Sequence, residues 1–257
     1  MYLREVLAHS LIVEGGHAFK QPDGSPRTKQ NATTAEVDTT LKALGKRIGI
    51  DLISMKTGST IYPDKITGDG DTMLDPADFI KVDPKASAKE TQNRFREWLT
   101  SKLIGAGFKD TIEIKKQSDG LTVEAPIPGT KETLQIDLDI SEPGDGKFAR
   151  WARRGEPGEA KGVFRQILKS AIARTLNPNW KWSYKNSLFD EESGKTLTKD
   201  PDKIAKLMFG KTAKASDLDN IQTILAKLKQ THADIYNQVI DKANEGIAKM
   251  GYEYRLQ

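Results

Sequence analysis

Gly58-Ser59-Thr60-Ile61-Tyr62-Pro63-Asp64-Lys65-Ile66-Thr67-Gly68-Asp69-Gly70-Asp71 is the stretch on which the reading of this chain turns. Asp69 and Asp71 are two apart, and residues two apart on a strand point to the same face. Two carboxylates held side by side repel unless a divalent cation sits between them. Gly58 lets backbone approach a bound anion closely. The Ser59 hydroxyl and neighbouring N–H groups can then hold phosphate oxygens. Taken alone, Gly68-Asp69-Gly70-Asp71 is equally ordinary turn chemistry, because Gly and Asp both favour turns.

A second acidic segment changes the balance. Thr133–Ile140 alternates sharply: Leu134, Ile136, Leu138 and Ile140 point one way, into a core, while Gln135, Asp137 and Asp139 point the other. If this strand pairs beside a strand over Asp69–Leu74, three or four carboxylates converge on one patch. Oxygen-only ligation of this kind suits Mg²⁺ or Mn²⁺, which keep waters and take substrate phosphates as further ligands. Two such ions can activate an attacking hydroxyl and stabilise a leaving pyrophosphate.

Around these segments the pattern is mixed. Residues 14–34 read as a loop rich in Gly, Pro and Asn. A helix is expected at about 35–48, capped by Thr34, with Val37, Leu41, Leu44 and Ile48 on one face and Gly49 at its end. Residues 51–56 read as a strand leading into Gly58. Ser87 and Glu90 form a capping box for a helix carrying Phe95, Trp98, Leu99 and Leu103. Strand candidates follow at 111–116, 121–127 and 133–140, with a turn at Asp119-Gly120. Residues 141–160 read as a mobile loop or a hinge between domains. Beyond them helices are expected at 160–175, after Asp200-Pro201, from Ser216 and Asp219, and up to about Met250. The order defines an α+β fold with a mixed or antiparallel sheet over residues 1–145, followed by a helical part over 146–257.

The stretch from Gly58 to Asp71 resembles the signature of the DNA polymerase β-like nucleotidyltransferase superfamily, which includes CCA-adding and poly(A)-adding enzymes. That signature is a Gly-Ser pair, about ten residues, then Gly-Asp-x-Asp. Ile136-Asp137-Leu138 is similar to the context of the family's third carboxylate, and Gly162-Val163-Phe164-Arg165 with residues 177–188 resembles the segment that packs against the incoming nucleotide. Glu14-Gly15-Gly16 and the Gly-Ser-Thr form look like phage-encoded members.

The resemblance implies a palm domain at 1–145. It implies Asp69, Asp71 and Asp137 as catalytic residues and ligands of two Mg²⁺ or Mn²⁺ ions, and Gly58, Ser59, Lys65 and Arg165 at the nucleotide. The implied activity transfers a nucleoside monophosphate from an NTP or dNTP to a hydroxyl, most naturally a nucleic-acid 3′ end, releasing pyrophosphate. The location implied is the cytoplasm, or the host cytoplasm for a phage-encoded chain. Family members usually carry an Arg soon after Gly-Ser. Here Ile61-Tyr62-Pro63 stands in its place, with Lys56 and Lys65 the nearest cations. The alternative is a non-catalytic scaffold of the same fold, or a nucleic-acid-binding protein of a phage replication or virion complex.

Composition narrows the remaining classes. The 257 residues contain no cysteine, which excludes a disulfide framework and any Cys-ligated metal. His9, His17 and His232 are too scattered for a His-x-x-x-His zinc motif. No apolar run approaches the ~20 residues that span a bilayer, so no membrane partner is expected. A net charge of +4 is compatible with a nucleic-acid partner without requiring one. Gly210-Lys211-Thr212 fails as a phosphate loop because Ala205 stands where its first glycine is needed. Arg150, Arg153, Arg154 and Lys161 cluster around Trp151 as either a phosphate grip with a stacking ring or a solvated loop. Arg165, Lys169 and Arg174 read as the wet face of their helix. Trp180 and Trp182 read as core or interface residues.

Overall fold

The computed structural model describes residues 18–114, 120–158 and 160–257. His9, His17, Glu14-Gly15-Gly16, Asp119 and the end of the 111–116 strand candidate lie outside the described residues. The chain divides into two compact units, Met1–Gly146 and Lys147–Gln257.

In the first unit a short strand, β1 (Ala32–Thr33), runs directly into helix α1 (Thr34–Ile48). The cap is Thr33 rather than Thr34. Its hydroxyl accepts from the Glu36 N–H, and the Glu36 carboxylate accepts from the Thr33 N–H at 2.8 Å. Thr34 is thereby released to donate to the Tyr62 and Lys65 carbonyls at 2.9 and 3.2 Å. Such a cap is worth about 1 kcal/mol to the helix. Lys29, bonded to the Glu36 carboxylate at 2.8 Å, and the Thr33 N–H hold the Glu36 pKa below its ordinary value.

Residues 51–56 do not form a strand. The Asp51 carboxylate accepts from the Ser54 N–H and Ser54 Oγ donates to the Asp51 carbonyl, which closes a turn. Only the end of the segment is extended, through a bridge between Lys56 and Thr72. After a second short strand, β2 (Ile66–Thr67), paired antiparallel with β1, comes β3 (Asp69–Leu74). Helix α2 (Ala88–Gly105) starts at the expected Ser87–Glu90 capping box and buries Phe95, Leu99 and Leu103.

Strands β4 (Ile112–Ile114), β5 (Leu121–Pro126) and β6 (Thr133–Ile140) complete a mixed four-stranded sheet in the order β3-β6-β5-β4. β6 runs parallel to β3 and antiparallel to β5. Its apolar face, Leu134, Ile136 and Leu138, joins Val37, Leu41, Leu44, Phe95 and Leu99 in one core. Gly70 permits this packing: a Cβ there would lie 2.9 Å from both Val37 Cγ1 and Ile136 Cδ1, so any larger residue would force those side chains to shift.

The opposite face of the sheet is polar but covered. Gln135, Asp137, Asp139 and Glu124 are all buried. Residues 18–29 bind over it. The Ala18 N–H donates to Gln135 Oε1 at 2.9 Å, Arg27 pairs with Glu124, and the Lys29 N–H donates to the Thr133 carbonyl at 2.8 Å.

Residues 141–160, which read as a mobile loop or a hinge between domains, hold a short helix, α3 (Gly146–Ala152). The second unit continues with α4 (Gly162–Leu176). It is not purely helical. An antiparallel meander of β7 (Trp180–Ser183), β8 (Ser187–Asp190) and β9 (Lys195–Thr198) follows α4. These four-residue strands alternate too briefly for a sequence pattern to separate them from loops. Then come α5 (Pro201–Phe209), capped by Asp200, α6 (Ile221–Thr231) and α7 (Tyr236–Lys249). Asn220 caps α6; the expected starters, Ser216 and Asp219, lie in and after a 3-10 turn over Ala215–Leu218.

Candidate metal centre

Parallel pairing of β3 with β6 puts Asp71 directly opposite Asp137 and Asp69 opposite Gln135. All four side chains stand on the polar face, because alternate residues share a face. One carboxylate oxygen from each of Asp69, Asp71 and Asp137 lies within 4.8 Å of the other two. Asp69 and Asp137 are each only 8% exposed, and Asp71 is half-buried. Asp139, two residues further along β6, is opposite Met73 and does not belong to this group.

Neutral donors orient the two buried carboxylates. Thr67 Oγ1 donates to Asp69 Oδ1 at 3.0 Å. Thr122 Oγ1 and Gln135 Nε2 both donate to Asp137 Oδ1, each at 3.0 Å. The Ala18 N–H on Gln135 Oε1 fixes which end of that amide faces Asp137. One oxygen of each of these two carboxylates is thus held by uncharged groups. Three oxygens converging from buried or half-buried acids form a hard, oxygen-only donor set, and the residues fit Mg²⁺ or Mn²⁺.

Gly58 and Ser59 are brought to the same place. Residues 55–57 run beside β3, with the Met73 N–H donating to the Met55 carbonyl at 2.9 Å and the Thr57 N–H to the Asp71 carbonyl at 3.0 Å. Gly58 follows with φ 69° and packs on Asp71. The chain then enters a 3-10 turn at Ser59–Ile61, with Ser59 half-buried at its first position. Lys65 lies on the continuing loop, half-buried, with its carbonyl held by Thr34. The other nearby cation named by the sequence, Lys56, pairs with Asp38 at 2.5 Å.

Arg165 belongs to the second unit. It lies in the interior of that unit and is fully buried. Its guanidinium donates to the carbonyls of Gly155 at 3.1 Å, Arg154 and Asp219, and pairs with Glu156 at 3.2 Å. Backbone carbonyls and Glu156 thus hold this guanidinium inside the core of its own unit. Lys169, one turn later, is also fully buried, so α4 has no wet face at these positions. Only Arg174 of the three is partly exposed. Trp151 is buried too, its indole N–H donating to Asp219 Oδ1 at 3.0 Å, and Trp182 lies in the same core.

Thr67 and Thr122 carry no motif of their own, and Gln135 stands out in the sequence only as a member of the polar face of its strand. Their one signal is position: Gln135 and Thr122 share the polar face with Asp137 in a β-alternation, which became informative only once the register was known.

No protein-family model matches the chain, and no curated protein sequence does. Among solved structures the chain is similar to the ternary P/T complex of Leishmania infantum polymerase beta, with 12% sequence identity and a TM-score of 0.48 over 75% of this chain and 78% of that one. Among the described residues no helix is long and apolar enough to cross a membrane.

Proposed function

We propose that the first unit is a polymerase β-like palm and that the protein is a metal-dependent nucleotidyltransferase. It would move a nucleoside monophosphate from a nucleoside triphosphate to a hydroxyl, with a nucleic-acid 3′ end as the acceptor. The observation that carries this reading is the convergence of Asp69, Asp71 and Asp137 within 4.8 Å, with the backbone of Gly58 seated on Asp71.

Asp69, Asp71 and Asp137 would hold one or two Mg²⁺ or Mn²⁺ ions, which would neutralise the three carboxylates, favour ionisation of the attacking hydroxyl and offset the charge of the leaving pyrophosphate. Asp137, opposite Asp71 across the β3–β6 pair, would accept the proton of the attacking hydroxyl. Ser59 and the N–H groups of its turn would bind the terminal phosphates, with Lys65 the candidate cation on the same loop.

The test is incubation with each labelled NTP or dNTP, Mg²⁺ or Mn²⁺, and oligonucleotide or small hydroxyl acceptors. Wild type is expected to release pyrophosphate and label an acceptor; an Asp69→Asn/Asp71→Asn variant is expected to do neither. Equal output from the two proteins would overturn the enzyme reading and leave a scaffold of this fold.

A further inference from the structure

The two units differ in charge. Residues 147–257 contain 21 Lys and Arg against 13 Asp and Glu, a surplus of eight cations. Residues 1–146 contain 19 against 23, a deficit of four. A cationic body favours a polyanionic partner, but charge alone does not say where such a partner binds.

The β7–β8 turn supplies the location. Tyr184 stands in it with 48% of its surface exposed, followed by exposed Lys185 and Asn186. Ser187 closes the turn at φ 64°, a left-handed conformation that L side chains rarely adopt. Bonds on both sides hold it there: Ser187 Oγ donates to the Thr198 carbonyl at 2.5 Å, and the Asn186 N–H donates to Ser183 Oγ at 2.8 Å. A turn kept in an unfavourable conformation by its surroundings is fixed rather than floppy.

The Arg153 guanidinium lies over the Tyr184 ring, 4.9 Å from its centroid. Of the other candidate rings in this unit, Trp151 is buried and Tyr254 is stacked on Phe164 at 4.6 Å.

We propose that this turn is a stacking platform for single-stranded polynucleotide. A base would lie on the exposed part of the Tyr184 ring, and the flanking phosphates would meet Arg153 and Lys185. Every base has a π-face, so the contact is tolerant of sequence, and a duplex hides those faces inside its own stack. The proposal rests on the reading of a nucleic-acid acceptor and names where that acceptor is held.

Fluorescence anisotropy of labelled oligo(dT), oligo(U) and a duplex tests it, using the full-length protein in EDTA over a range of KCl concentrations. Tyr184→Ala is expected to weaken single-strand binding about 5- to 100-fold, while Tyr184→Phe stays within about twofold of wild type. Lys185→Ala is expected to lower the salt slope by about one. Undiminished binding by a Tyr184→Ala protein of unchanged circular dichroism would overturn the proposal. So would duplex binding as tight as single-strand binding, or competition by polyglutamate as effective as by oligo(U). The measurement needs neither metal nor triphosphate, so a failure of nucleotidyl transfer leaves it intact.

Discussion

Gly58 is seated against Asp71: a Cβ on residue 58 would overlap the Asp71 carboxylate, reaching within 2.9 Å of its Cγ. Backbone at φ 69° and an acidic side chain on β3 therefore occupy adjoining space that no other residue type leaves open.

Gly58→Ala is expected to displace the Asp71 carboxylate and to strain the backbone. Mn²⁺ affinity, measured by calorimetry or electron paramagnetic resonance, should fall at least about tenfold, as when a ligand loses its support. Thermal stability should fall by about 1 kcal/mol or slightly more, the cost of Ala at positive φ. A variant that bound Mn²⁺ as tightly as wild type would show that Asp71 is not a ligand.

Gln135→Leu removes the amide that joins Ala18 to Asp137 without changing the charge of the site. Metal affinity or turnover is expected to drop about 10- to 100-fold, and Thr122→Val to act in the same direction. Because both residues donate to Asp137 Oδ1, the double variant should lose less than the sum of the two singles. Strict additivity would mean that the two donors act on separate groups.

The Glu36 cap sets an acid limit on α1. Its folded pKa lies below the unfolded one, chiefly through Lys29 and the Thr33 N–H. Its contribution to stability is therefore present above the ordinary glutamate value and is lost as pH falls through the lower folded value. Lys29 is shifted the opposite way, upward, by Glu132 and Glu36, so its contribution persists below the ordinary lysine value and is lost at high pH. In melts taken from about pH 7 down to about pH 3, wild type should lose its advantage over Glu36→Ala. A difference independent of pH would assign the cap a purely neutral hydrogen-bonding role.

Lys169 lies fully buried in α4 with its Nζ 4.2 Å from the Trp151 ring centroid and 4.9 Å from that of Trp182, with no hydrogen-bond acceptor among the described residues. Burial first, and Arg165 second, depress its pKa well below the ordinary lysine value. The unfolded chain then binds a proton that the folded one does not, so stability rises with pH until the ordinary lysine value is reached. Lys169→Met is expected to raise the melting temperature at neutral pH and to flatten that rise. A lower melting temperature for the Met variant would mean that the indole faces hold a charged ammonium at a net gain.

Several elements were legible in the chain because local chemistry suffices for them. The Ser87–Glu90 box, the Asp200-Pro201 start and the alternation of Thr133–Ile140 each depend on neighbours within four residues. The 51–56 segment misled because a local Asp51–Ser54 turn outcompetes extension, and β7 to β9 are too short to show a period. Arg165 and Lys169 misled for a different reason. Charge predicts exposure, and their burial goes with partners that a local pattern does not reveal: Glu156 and four backbone carbonyls around Arg165, and two indoles around Lys169.

The stretch that begins at Gly58 marks the same division. By itself the sequence determined that a Gly-Ser pair stands ten residues ahead of an Asp-x-Asp, and that a later strand has an acidic face. Only the tertiary structure decided that β6 lies parallel beside β3 with Asp137 opposite Asp71, and that residues 18–29 cover the face they share. Register is a property of two segments far apart in the chain, and a slip of one residue would have turned Asp137 away from Asp71.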